Sequence, residues 1–171
     1  MDVKTTLQEQ MKALHGTLEA AIRDCSADTL TRKLTGSTIN SIGAVYAHTI
    51  FSEDGLLNGL IRGGTPVYFA GGWAPKVGLD MPKGTMEPDW DVTLDLSLFR
   101  EYAAAVYQST DEYLATVTDA ELDRVIDAGF APPMPVRSFV ANLLAWHAAT
   151  HQGEISALKG VQGFNGLDLT H

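Results

Sequence analysis

Residues 145–160 read AWHAATHQGEISALKG, and how this stretch folds decides the architecture. His147 and His151 stand four residues apart in a run without proline. An α-helix turns by about 100° per residue, so this spacing lays both imidazoles on one face. Val140, Leu144, His147, His151, Glu154 and Leu158 then form one stripe, flanked by Leu143 and Ile155. The stripe is apolar on either side of the histidines, which predicts a helix from about Val136 to Gly160 or Gly163 with both rings turned inward. Glu154, one turn beyond His151, brings a carboxylate to the same region.

Three more long helices follow from the same periodicity. From Val3 to about Arg23, Leu7, Met11, Leu14, Leu18 and Ile22 recur at spacings of three and four. A second helix is expected after Ser37 or Thr38 as N-cap, stopping at Gly63-Gly64, with Ile39, Ile42, Val45, Tyr46, Leu56 and Leu60 inside. A third spans about Thr93 to Val117, with Phe99, Tyr102, Val106, Tyr113 and Val117 on one side. Thr118 to Glu121 has the form of a capping box, which predicts a short separate helix. No stretch reads as a pair of strands. The fold class expected is therefore all-α: one domain over residues 1–171, a four-helix bundle.

Helices two and three are joined by a long segment, residues 62–91, dense in glycine and proline yet rich in apolar side chains. Such a segment suits a folded loop over one end of the bundle rather than a linker. Tyr68, Trp73 and Trp90 are its candidate pocket walls.

Of the 171 residues, 45% are hydrophobic and 19% charged, ordinary for a globular protein. The net charge of −9 argues against nucleic acid and anionic membranes as partners, since both reward Lys and Arg. The single cysteine, Cys25, excludes a disulfide framework and points to a reducing, cytoplasmic setting; it reads as a small buried residue. The N-terminus lacks the pattern of a signal peptide, and no apolar run approaches a membrane span.

Two neutral imidazoles on an apolar face leave several nitrogens to satisfy, at about 1–3 kcal/mol for each one left unpaired. A metal ion satisfies one nitrogen of each ring at once. His48, near the middle of the second helix in VYAHTIFSEDGLL, is the natural third ligand. Three neutral nitrogens suit zinc, nickel, copper or iron rather than magnesium or calcium, and leave a coordination position open. HAATH has Ala148 where a zinc protease of the H-E-x-x-H type needs glutamate, and no Glu-x-x-His exists for a ferritin-like di-iron centre. His15, beside Leu14, is expected to be exposed, and His171 to lie in a loose terminus. Glu53 and Asp54 are expected on a solvated face. Gly153, inside the fourth helix, suggests close approach of a neighbouring helix.

The stretches SIGAVYAHTIFSEDGLL and WHAATHQGEISALKG together resemble the DinB/YfiT-like superfamily, whose members carry a histidine midway along the second helix and H-x-x-x-H-x-G-[QE]-[IL] on the fourth. The match is His48, then His147, His151, Gly153, Glu154 and Ile155. The resemblance implies a four-helix bundle with a three-histidine metal site, often zinc or nickel, and frequently a homodimer. Some relatives are S-transferases or isomerases that use a low-molecular-weight thiol such as mycothiol, bacillithiol or glutathione. Glu154 would then either orient a histidine ligand or serve as an ion-pair partner in the bundle. The activity expected is that of a metal-dependent enzyme acting on a small molecule with a thiol cofactor. A metal-dependent hydrolase and a non-catalytic metal- or small-molecule-binding module are the alternatives. The 62–91 segment departs from the short members and would shape the pocket mouth.

Overall fold

The structure is a computed structural model and describes residues 2–82, 86–87 and 90–167. Helix α1 spans Val3–Ile22 and is capped by Asp2, whose carboxylate accepts from the Thr5 amide at 2.8 Å. Short α2 (Ala27–Thr31) leads to α3 (Ile42–Asp54). The N-cap of α3 is Ser41 rather than Ser37 or Thr38, and Ile39 is 44% exposed outside the helix instead of buried within it. From Asp54 the chain continues without a break into a π-helical segment, Gly55–Ile61, and turns away at Gly63, whose φ is +62°. The 62–91 segment holds two single-turn helices, α4 (Val67–Ala70) and α5 (Ala74–Val77).

Helix α6 (Leu96–Thr116) begins on Asp95, and α7 (Asp119–Asp123) on Thr118, which accepts from the Glu121 amide as the capping-box sequence predicts. A two-residue antiparallel pair follows, unanticipated from sequence: β1 (Val125–Ile126) against β2 (Met134–Pro135). The last rod is built from α8 (Val136–Phe139), a second π-helical segment (Val140–Ala145) and α9 (Trp146–Val161). The expected four long helices are thus α1, α3 with its π extension, α6, and the α8–α9 rod. Their most extensive pairing is α3 against α9, followed by α1 against α9 and α1 against α6.

The apolar interior falls into two clusters. One gathers Leu18, Ile22, Ile50, Phe51, Phe99, Val106 and Ile155; the other gathers Leu7, Met11, Leu57, Ile61, Leu114, Val140 and Leu144. Between them in sequence, on α1, α3 and α6, sits a buried polar group. His15 Nε2 lies 3.0 Å from both oxygens of Glu53, and the Thr110 hydroxyl donates to the same carboxylate at 2.5 Å. His15 also stacks on Tyr107, with ring centroids 3.9 Å apart. Both expectations for these residues are overturned: His15 is not exposed, and Glu53 is not solvated. The spacing Met11, His15, Leu18, Ile22 places His15 on the buried stripe itself. Helix α3 carries apolar residues on all sides, and all but Ser52 of its residues are buried, so its C-terminal carboxylates have no wet face to occupy.

Asp54, likewise expected in water, is fully buried. It accepts from the backbone amides of Val67 (2.7 Å) and Tyr68 (2.9 Å), from the Tyr102 hydroxyl (2.8 Å) and from Asn58 Nδ2 (2.9 Å). One carboxylate therefore fastens the start of α4 to α3 and α6. Burial and the Asp54 charge beside it hold the Tyr102 phenol protonated, its pKa raised above the usual range.

Gly153 does not serve close packing. A Cβ built there meets nothing within 4 Å, and the residue faces water. Glycine in a helix interior costs roughly 1 kcal/mol relative to alanine. Gly153→Ala is therefore expected to stabilise the chain by about 1 kcal/mol with metal uptake unchanged, as urea denaturation and metal analysis would show.

Candidate metal centre

His48 projects from α3, and His147 and His151 from successive turns of α9. The contact between these two helices brings the three rings together. Nε2 of His147 lies 3.1 Å from Nε2 of His48 and 3.1 Å from Nε2 of His151. One ligand atom from each residue falls within 4.8 Å of the others, so the cluster could hold a metal ion. His48 is 8% exposed, and the other two are half-buried. Burial lowers the pKa of His48 to about 4, helped by His151 and opposed by Glu154. Burial, then the neighbouring His151 and His48, lowers His147 to about 3. Both rings are neutral at pH 7, with lone pairs to offer.

The protons of this cluster do not balance among the three rings alone. His151 Nδ1 stands 2.8 Å from Glu154 Oε2, and an ionised carboxylate only accepts. The proton of neutral His151 is therefore on Nδ1, which leaves its Nε2 bare. If His147 Nε2 carries hydrogen, that one N–H serves one neighbour and cannot aim at both. If it is bare, it faces the bare Nε2 of His151. In every neutral arrangement at least one 3.1 Å contact is not a hydrogen bond. A cation among the three nitrogens removes the conflict. Nitrogens bound tetrahedrally at about 2.0–2.1 Å from zinc stand roughly 3.3–3.4 Å apart, close to the separations observed. Nδ1 of His48 is buried without a partner, so no hydrogen bond at that outer nitrogen orients the His48 ring. The donor set fits a transition metal and lacks the oxygens that magnesium or calcium prefer.

The three rings border a cavity of about 870 Å³. Its walls include Phe51, Ser52, Gly55 and Leu56 from α3 and the following π-helical segment, and Asn142 and Leu143 from the other π-helical segment. Trp146 and Thr150 come from α9, and Phe130 from the loop between β1 and β2. Both π-helical segments thus adjoin the histidines and supply the cavity, in line with the frequent placement of such wide turns at functional sites.

The 62–91 segment does reach the cavity, through Met81, Pro82 and Met86 rather than through the expected aromatics. Tyr68 is buried, with its hydroxyl donating to the Leu79 carbonyl at 2.5 Å, and Trp73 and Trp90 pack against the core. A Cβ at Gly55 would stand 3.3 Å from the Met81 methyl, so glycine there lets that side chain lie over the π-helical turn. Sequence reasoning missed the wall residues. Leu143, Trp146 and Thr150, at spacings of three and four beside the histidine stripe, carried the available signal. Cys25 lies half-buried between α1 and α2, its thiol pKa raised by burial, and it has no place in these walls. His171 lies outside the described residues.

The family model of the DinB superfamily matches residues 10–155, a span that contains the three histidines and Glu154. The chain belongs to the DinB superfamily. Its fold is also that of two solved structures. A conserved protein from Enterococcus faecalis superposes with a TM-score of 0.73 at 19% identity, covering 95% of this chain and 99% of that one. A DinB-like protein from Bacillus cereus gives a TM-score of 0.53 at 16% identity, with 99% and 94% covered. No curated protein matches this DinB chain closely enough to count as a relative. Among its described residues no helix is long and apolar enough to cross a membrane.

Proposed function

We propose that this DinB-superfamily protein binds one divalent transition metal, zinc or nickel, through His48, His147 and His151, and uses it in thiol-dependent chemistry of the S-transferase or isomerase type. The observation that carries this reading is the meeting of three Nε2 atoms at the edge of a cavity large enough for a small molecule. The ion would lower the pKa of a thiol placed at its open position, as cations do for sulfur ligands.

The chain's own residues do the rest. Glu154 accepts the Nδ1 proton of His151, fixing that ring's tautomer and aiming its Nε2 lone pair at the cluster. Phe51, Leu56 and Leu143 keep water from the site, which strengthens every charge interaction inside it. The open side of the cluster faces the cavity, where a second reactant would be held close. The thiol comes from outside, since Cys25 is remote from these walls. A homodimer in the cytoplasm completes the proposal, and sedimentation equilibrium checks the assembly.

Glu154→Gln is expected to weaken metal affinity by roughly 10–100-fold while leaving one ion per chain at saturation. Competition with a chromophoric chelator measures it, and an unchanged affinity would remove Glu154 from the site. For the chemistry, a cobalt-substituted sample titrated with small thiols should develop a sulfur-to-metal charge-transfer band. Metal uptake without such a band for any thiol overturns the thiol-dependent reading in favour of hydrolysis.

A further inference from the structure

We infer that the cavity beside the histidines selects a ligand with an uncharged, mostly apolar body and discriminates against anionic ones. This deepens the function proposed above and rests on it only for the metal-anchored end of the ligand.

Among the described residues that line the cavity there is no Asp, Glu, Lys or Arg. Away from the three histidines, its polar side chains are Ser52, Asn142 and Thr150, all neutral. The remaining walls are aliphatic, aromatic or thioether. A carboxylate or sulfonate carried into such walls gives up its hydration and, away from the histidines, meets no cationic side chain among the described residues. The net charge of −9 adds a field that opposes anions at longer range. An apolar body has the opposite balance, because every part of its surface that meets Phe51, Leu56 or Leu143 leaves water.

The mouth points the same way. Trp146 is 71% exposed and Phe130 65% exposed, yet both border the cavity. Two large aromatic side chains held in water at the rim of an apolar pocket gain burial only when a ligand spans them. Met81 and Met86 complete the wall with flexible, polarisable side chains, which accommodate varied apolar shapes better than they select one. A volume of about 870 Å³ is at the upper end of small-molecule sites. Away from the metal-anchored end, the two carboxylates of glutathione would find no cationic side chain among the described residues of these walls.

The test uses the metal-free 171-residue chain and two environment-sensitive dyes, uncharged Nile red and the anionic sulfonate ANS. Nile red should bind with enhanced emission, and ANS at least about tenfold more weakly. Trp146→Ala, a change at an exposed position, should weaken Nile red by about fivefold or more. Thr150→Arg, which places a cation at the exposed rim, should bring ANS affinity up to that of Nile red. Equal binding of the two dyes by the unaltered chain, absence of Nile red binding, or indifference of both dyes to both substitutions would each overturn the inference. Neither dye reports on metal. A chain that takes up no ion but keeps the preference for Nile red would sink the metal-dependent function and leave this inference standing.

Discussion

His147→Ala is expected to abolish stoichiometric metal binding. Nε2 of His147 is the atom that stands 3.1 Å from both other ligand nitrogens, so its removal takes away the central donor and leaves two ligands. Changes to residues that merely orient a ligand cost roughly 10–100-fold in affinity, and loss of a ligand costs more. Tag-free protein, dialysed against zinc or nickel and analysed for metal, should hold about one ion per chain, and the variant well under a tenth of that. The helices themselves should survive, because α1, α3, α6 and α9 bury apolar side chains that owe nothing to the ion. Unfolded apo-protein would show that the metal is part of the core. Metal content equal to that of the parent chain would remove the site.

Asp54→Ala should have the largest effect on stability. The carboxylate is fully buried and accepts from four donors, two of them the backbone amides of Val67 and Tyr68. Alanine leaves those amides without an acceptor in a place water does not reach easily, and each buried unpaired donor costs roughly 1–3 kcal/mol. A loss of about 2–6 kcal/mol is therefore expected in urea denaturation at pH 7. The charge itself is costly to bury, and this offsets part of the loss. Asp54→Asn should be milder but still destabilising, because it keeps one acceptor oxygen and turns an NH₂ group toward donors. Since Asp54 fastens the start of α4, the walls contributed by Met81, Pro82 and Met86 should loosen with it. Metal affinity, set by α3 and α9, should change far less. A stability within 0.5 kcal/mol of the parent, or thereabouts, would mean that relief of the buried charge cancels the lost hydrogen bonds.

Much of this was written in local pattern. The spacing of Leu7, Met11, Leu18 and Ile22 is buried in α1 as the sequence predicts, and Thr118 caps α7. His147, His151 and Glu154 are brought together by the geometry of one helix, a property of spacing alone. His48 was legible only alongside His147 and His151, because a pair on one helix and a third histidine on another make a familiar ligand arrangement. Apart from His48, these features depend on residues within two or three turns of each other, where the chain's covalent geometry leaves little choice.

Tertiary structure alone decided which polar residues go inside. Glu53 and Asp54 look like surface residues one at a time, since charged side chains usually stay in water, whereas His15 already stood on the apolar stripe of α1. They are buried because α3 is surrounded, and each finds donors or acceptors on other elements: Glu53 on α1 and α6, Asp54 on α4 and α6. The cavity is of the same kind. Its walls come from α3, α9, both π-helical segments, the loop bearing Phe130 and the 62–91 segment, and no local window of sequence contains them. The wide turns at Gly55–Ile61 and Val140–Ala145 escape a periodicity tuned to α-helix, because the extra residue per turn shifts every side chain after it. Sequence fixes a periodic face, whereas a polar group's free energy depends on which partners arrive from elsewhere in the chain, and that is known only once the helices have packed.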